Sequence, residues 1–443
     1  MLEQAFFKCL VEQKKTGFLV DEPLLDNYIR GVQGLMDKID RKVLPLMPMR
    51  IVPRESKKSG EFLWLKEPFK KNGELGVYAE RFCEEAGIDI ETVDGPFSRF
   101  DYVEFDLGSG KQVKDYLLEQ GWIPNEWNKS KLTGKITSPK LNQDDDFLGV
   151  TGIVGKMVAK RMIYKHRRGL WEGLKKIIRP DGRITAGVTG IAATGRIKHT
   201  GVVNIPGNRA ILGKQCRKMF IAKPGYKIVG CDAASCQIRM LCHYMGDDEY
   251  SKAAVSGKQS LGTDIHTVNM RLAGLTSRDD AKTLIYAFLF GGADKRLAAA
   301  LGVSLKRAKQ IRASLLAGLP KLGALIKGVT NAWRKRGFLI GLDGRKLYPR
   351  AKHMTLVYLL QGAEAILMKL STIFAFKWIK EAGYDAKMVA HVHDESQWEV
   401  REDQAEAVGK LLEKSIVKAG EYLKLNVPMG GGAKIGDTWG DTH

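Results

Sequence analysis

The sequence predicts an α+β chain of several domains, and three observations carry that reading. At 443 residues it is long enough for two or three domains around large cores. Apolar residues recur at helical spacing through long stretches of it. Two strand signals lie far apart: the run Lys227-Ile228-Val229-Gly230-Cys231, and a hairpin centred on Asp394.

Along the chain, residues 1–44 read as helical, with Leu24, Leu25, Tyr28, Ile29, Val32, Leu35, Met36 and Ile39 on one face. From about 45 to 104 the pattern is broken by Pro45, Pro48, Pro53, Gly60, Pro68, Gly73 and Gly76. Within this insert, residues 50–72 carry seven Lys or Arg against three acids, and 73–106 carry ten acids against two Arg. Two readings stand for such a bipolar segment: a solvated loop, or a docking site for a partner. A helix resumes at 111–120, and 149–178 is a basic helical stretch with Lys156, Lys160, Arg161, Lys165, Arg167 and Arg168. Short strands and turns fill 180–235, helices dominate 237–335, and the remainder is mixed. No internal repeat is visible.

Lys and Arg outnumber Asp and Glu by 71 to 50, a net charge of +21. That excess favours polyanionic partners, nucleic acid first and an anionic membrane surface second. No apolar run approaches the roughly 18 residues of a membrane span, so no membrane partner is expected. The start, Met1-Leu2-Glu3-Gln4, lacks the pattern of a signal peptide. The six cysteines show no CxxC pair and no zinc spacing. Cys231–Cys242 with His243 read as reduced residues packed around a core strand rather than as a metal site, and a cytoplasmic location fits.

Asp394 sits at the tip of the hairpin Ala390-His391-Val392-His393-Asp394-Glu395-Ser396, and Asp232 ends the other strand run. Two acids on rigid strand ends suit two-metal phosphoryl chemistry, which needs two divalent ions about 3.5–4 Å apart. Between them in sequence, Arg278, Lys282, Tyr286 and Phe290 recur every four residues and form one slanting helical stripe ahead of Gly291-Gly292. Two cations followed by two aromatics suit a triphosphate at one end and a sugar and base at the other. The alternative is a surface helix with cations outward and aromatics in the core.

These blocks resemble those of family A DNA polymerases, the DNA polymerase I group, and within it the bacteriophage replicative branch. Cys231 to Arg239 resembles the first palm motif, Arg278 to Gly291 the fingers helix, and Val392-His393-Asp394-Glu395 the second palm motif. Thr194-Gly195-Arg196 with Asn204-Ile205-Pro206, Gly341 to Arg345, Leu360-Gln361-Gly362, and Trp439 to His443 resemble further blocks in the right order.

The resemblance implies a right-hand polymerase fold with an antiparallel-sheet palm, helical fingers and a helical thumb. It places the thumb at 1–178 with the insert inside it, the palm at 179–247 and 357–443, and the fingers at 248–356. It implies addition of deoxynucleoside triphosphates to the 3′ end of primer-template DNA, with two Mg²⁺ ions on Asp232, Asp394 and the Ala233 carbonyl. Arg278, Lys282 and His266 would hold the phosphates, Tyr286 the sugar, and Phe290 would lie near the templating base. Arg196, Asn204, Arg345 and Gln361 would contact the primer-template and His393 the primer end, although His393 also reads as a packed hairpin residue. Glu395 reads as structural or as a support behind the metal ligands.

The family usually has Glu, which blocks a ribose 2′-OH, where Gln237 stands; similar bulk implies that ribonucleotides are still excluded. Phe290 replaces a usual Tyr, and Ala287 stands where phage relatives have Gly. The chain start resembles the start of a polymerase region, so no proofreading exonuclease domain is expected before it and a separate exonuclease subunit becomes a candidate partner. The insert lies where a phage relative recruits a processivity factor. The leading reading is thus a viral replicative polymerase; a repair or bypass polymerase, and an inactive DNA-binding accessory subunit, are the alternatives.

Overall fold

The computed structural model describes residues 2–56, 58–130, 132–141, 147–202, 205–208 and 210–442, so Asn204 and His443 lie outside the described residues. It separates into two compact units, Met1–Val32 with Lys165–His443, and Gln33–Tyr164.

At the centre of the larger unit lies a four-stranded antiparallel sheet. Tyr226–Ala233 pairs with Glu395–Arg401 on one side and Gly431–Gly436 on the other, and Ala386–Val392 is the outer strand, joined to Glu395–Arg401 as a hairpin. Ile228, Val229, Cys231 and Ala233 are all at most 1 % exposed, which is why this strand reads as a near-continuous apolar run rather than an alternating one. At Gly230 a Cβ would come within 2.8 Å of Thr442, so the C-terminal turn packs directly on the strand.

The helix Thr355–Glu381 runs through the core, packed by the helices Leu2–Thr16, Cys236–Met245, Pro320–Arg336 and Ala405–Tyr422. Being enclosed on most sides, it is apolar most of the way round. It also corrects the expectation that no segment reaches membrane length. Among the described residues, Lys352–Glu381 is long and apolar enough by length and composition. Its most apolar window is 72 % buried inside the fold, the setting of a core helix.

Residues 1–44 are not one helix. Leu2–Thr16 stops at Gly17, whose φ of +68° carries the chain into the strand Phe18–Val20 between Phe220–Ile221 and Arg183–Ile184. The carboxylate of Asp21 then accepts from the Leu24 N–H and helps start the helix Glu22–Val43.

In the smaller unit the insert has structure of its own. Arg50–Pro53 pairs with Phe100–Val103 and Trp64–Leu65 with Phe97–Ser98, flanking the helix Val77–Ala86. Phe82 packs on Phe97 and Phe100 at ring separations of 5.9 and 5.3 Å. A plain solvated loop is therefore excluded, although Trp64 and Tyr78 remain exposed. Within the basic helix, Ile153–Lys175, Arg161 is not a solvated cation: its guanidinium is buried against both carboxylate oxygens of Asp40 and the Leu107 carbonyl.

Candidate active site

The register of the sheet brings the two acids together. Asp232 stands opposite Glu395, and Val392 pairs with Glu395, leaving His393-Asp394 as a two-residue turn. His393 takes φ +56°, a left-handed conformation that a tight hairpin turn demands of its first residue. The Ala233 N–H donates to the Asp394 carbonyl at 2.9 Å, tying the end of one strand to the tip of the hairpin. Asp232 is exposed and Asp394 half-buried, so both carboxylates are within reach of a ligand.

Their charges reach the surrounding groups. Burial raises the Cys236 thiol well above its usual range, and Glu364, Asp394 and Asp232 add to the effect. Burial also raises the Tyr286 hydroxyl, with further push from Asp394 and then Asp232. Tyr286 belongs to the helix Arg278–Leu289, so that helix and the sheet edge face one another across the site. A divalent cation between the two acids would relieve this concentration of negative charge, and the donors fit magnesium. Among the described residues no three His, Cys, Asp or Glu side chains gather as a metal nest. An ion held by Asp232, Asp394 and the Ala233 carbonyl would thus draw its remaining oxygens from water and substrate.

Ser277 caps the helix Arg278–Leu289 by accepting from the Asp280 N–H. Arg278 is already engaged: its Nε and Nη2 donate to Asp264 Oδ1 at 3.0 and 2.8 Å. Asp264 in turn caps the helix Ile265–Ala273, accepting from the His266 N–H at 3.1 Å and from the Thr267 hydroxyl at 2.5 Å. Burial works to raise its carboxyl, but Arg278 and Thr267 outweigh that and hold it at about 2. Burial, then Arg278 and Lys282, push His266 below its usual range, and its Nδ1 is buried without a hydrogen bond. Tyr286 lies tilted against His266 at 6.1 Å and stacks on Phe290 at 6.3 Å. Phe290 has left the helix as its C-cap and is 48 % exposed, so the four-residue stripe holds through Tyr286 and then turns outward.

Arg196 follows the turn between the strands Gly187–Ile191 and Ile197–Thr200, and its Nη2 meets Glu364 Oε1 at 2.5 Å. Gly195, at φ +85°, makes that turn; its carbonyl accepts from Lys369 Nζ at 2.7 Å. Lys369 also donates to both carboxylate oxygens of Glu3, at 2.8 and 2.9 Å. Arg345 is held by Asp343 and Glu3 at 2.6 and 2.8 Å. Gln361 is half-buried, one turn before Glu364 on the long helix, and Gln237 is buried on the helix that follows Asp232. His393 packs edge-on against His199 at 5.6 Å; loss of hydration, then Arg196, push it toward the neutral form. Glu395 is turned into the interior, accepting from Gln397 and from Trp439 Nε1 at 2.6 Å, with Arg217 3.8 Å away.

Sequence reading missed Glu3, Glu364 and Lys369, and gave Asp264 no role. A signal for two of them existed: Glu364 and Lys369 are the only charges between Thr355 and Thr372, an otherwise apolar and neutral run. Charges in such a run are buried and paired.

A family model described as DNA polymerase family A matches residues 78–441. The DNA-directed DNA polymerase of Escherichia phage Phieco32 is 26 % identical over 589 aligned positions, covering 94 % of each chain. That of Escherichia phage T7 is 28 % identical, covering 98 % of this chain and 68 % of its own. The thermostable DNA polymerase I of Thermus aquaticus is 28 % identical over 82 % of this chain, which spans only 45 % of that relative. Among solved structures, the POL domain of Pol1 from M. smegmatis, in complex with DNA primer-template and dNTP, aligns with a TM-score of 0.71. At 21 % identity it covers 99 % of this chain and 70 % of that one, and it shows the same fold.

Proposed function

The chain belongs to DNA polymerase family A, an enzyme family of template-directed DNA synthesis, and from that premise we propose a two-metal nucleotidyl transfer centred on Asp232 and Asp394. The observation that carries it is the Ala233 N–H to Asp394 carbonyl bond, which fixes both acids at one sheet edge facing Tyr286. Asp232, Asp394 and the Ala233 carbonyl would hold two Mg²⁺ ions, which would supply acidification of the primer 3′-OH and charge compensation for the departing pyrophosphate.

Lys282 neutralises the triphosphate as a point charge, while Arg278, steadied by Asp264, offers its remaining N–H groups. His266, kept neutral by its surroundings, hydrogen bonds the phosphates without adding charge. Tyr286 packs the sugar, Phe290 lies by the templating base, and Gln237 limits space at the sugar 2′ position. Arg196, Gln361, Arg345, Asn204 and His393 align primer and template, and Glu395 supports the hairpin from behind. The subdomains follow the division at 1–178, 179–247, 248–356 and 357–443. The insert binds a processivity partner or duplex DNA, the biological role is viral replication in the host cytoplasm, and a separate exonuclease subunit completes the partner set.

Primer extension on a primed single-stranded template with Mg²⁺ and four deoxynucleotides, beside an Asp394→Asn control, tests the reading. Extension by the native chain alone is the expected result; no extension by either, despite tight DNA binding, contradicts it.

A further inference from the structure

Glu364 has no exposed surface and projects from a helix that is apolar on both sides of it. Its Oε1 pairs with Arg196, yet its Oε2 and the Nε of Arg196 are both buried without a hydrogen bond of ordinary geometry. Burial raises the Glu364 carboxyl to about 7 and the nearby charge of Asp394 adds to the rise, while Arg196 and the adjacent Gln237 amide favour the charged form. Five residues on, Lys369 grips the Gly195 carbonyl, so the Arg196 segment is held by its backbone from one side chain and by its guanidinium from the other.

A buried ion pair with unmet groups on both partners adds little stability over an apolar packing of the same volume. What it does supply is direction, because a carboxylate fixes a guanidinium fork far more tightly than apolar contacts can. Glu364 also sits where the two functions of the site meet. Gln237 follows Asp232 on the nucleotide side, and Arg196 lies on the primer side.

We propose that Glu364 is a positioning residue for nucleotide addition, orienting the Arg196 guanidinium and the Gln237 amide together so that sugar selection and primer-end alignment are set by one buried carboxylate. Fully enclosed, it touches no substrate itself. The proposal rests on the polymerase reading given above.

The test is single-turnover addition of a deoxynucleotide and of the matching ribonucleotide by three full-length forms: native, Glu364→Gln, and the exchange Glu364→Gln with Gln237→Glu. Rates are referred to the active fraction found by titration with primer-template, and thermal midpoints are measured alongside. Glu364→Gln is expected to lose about tenfold in deoxy-over-ribo selectivity, with the loss falling mainly on KM rather than kcat. The exchanged form returns the carboxylate to the cluster from the other side, and selectivity returns to within about threefold of native. It also keeps a partner for Arg196 should Glu364→Gln fail to fold, in which case near-native selectivity in the exchanged form supports the proposal and a tenfold loss overturns it. A Glu364→Gln form whose selectivity and KM stay within about twofold of native, with only its melting point lowered, makes the residue merely structural and overturns the proposal alone. A native chain that adds no nucleotide overturns the polymerase reading, and this proposal with it.

Discussion

Charge is displayed on the helix Arg278–Leu289 and hidden along residues 355–372 of the helix Thr355–Glu381. Lys282 is half-exposed and the Arg278 side chain is 31 % exposed, while the side chains of Glu364 and Lys369 are 0 % and 1 % exposed. The displayed cations stay hydrated, so a polyanion can exchange with water there and leave again. The hidden charges have given up water for fixed partners, Arg196 for one and Glu3 with Gly195 for the other. Burial on that scale is costly unless the partner geometry is good. One helix therefore leaves cations partly open to solvent, and the other commits its charges to permanent geometry around the Gly195-Arg196 turn.

That contrast breaks first at the displayed cations. Lys282→Ala should lower kcat/KM for a deoxynucleotide about 100-fold, mainly through KM, because a charge-assisted contact of roughly 3 kcal/mol disappears. Its melting point should stay close to native. A large fall in melting point with little change in KM would instead make Lys282 a fold residue.

The hidden charges should behave in the opposite way. Glu3→Gln leaves the buried Lys369 ammonium with a neutral partner and the Gly195 carbonyl, and should cost about 2 kcal/mol of stability in urea unfolding. Unchanged unfolding would show that the N-terminal helix does not secure the turn.

Asp264 lies between the two cases, buried itself but pairing a displayed cation. Its carboxyl is depressed to about 2 in the folded chain. Its stabilisation, up to roughly 2 kcal/mol, is therefore complete above the unfolded carboxyl range near 4 and drains away as pH falls toward 2. The difference in unfolding free energy between native and Asp264→Asn should shrink over that interval; a difference independent of pH contradicts the pairing.

The smallest effect on chemistry is expected in the other unit. Removing most of the insert between the ladder Arg50–Pro53 and Phe100–Val103 should shorten extension products while single-nucleotide addition stays within about twofold. Product length unchanged would remove the insert from any role in processivity.

What the sequence made legible follows from how local each feature is. The His393-Asp394 turn and the Arg278–Leu289 helix are set by short-range patterns, and both stand where the sequence placed them. The charge of Glu364 in its otherwise neutral run signalled burial, but its pairing was not legible, because its partner Arg196 is 168 residues away and no periodicity announces it. The insert escaped for a related reason. Its strands are two to four residues long and pair across more than thirty residues, so no single window shows a ladder. Gly17 was read through as helix because the apolar stripe resumes beyond it, and only the pairing of Phe18–Val20 reveals the break.

The central claim, that two carboxylates at one sheet edge serve nucleotide addition through bound metal, is tested most directly by titrating Mg²⁺ in single-turnover addition with native chain and Asp232→Asn. The account predicts a rate loss of at least about 1,000-fold that added Mg²⁺ does not recover, with primer-template affinity held within about threefold. Equal rates at the same Mg²⁺ requirement would contradict it.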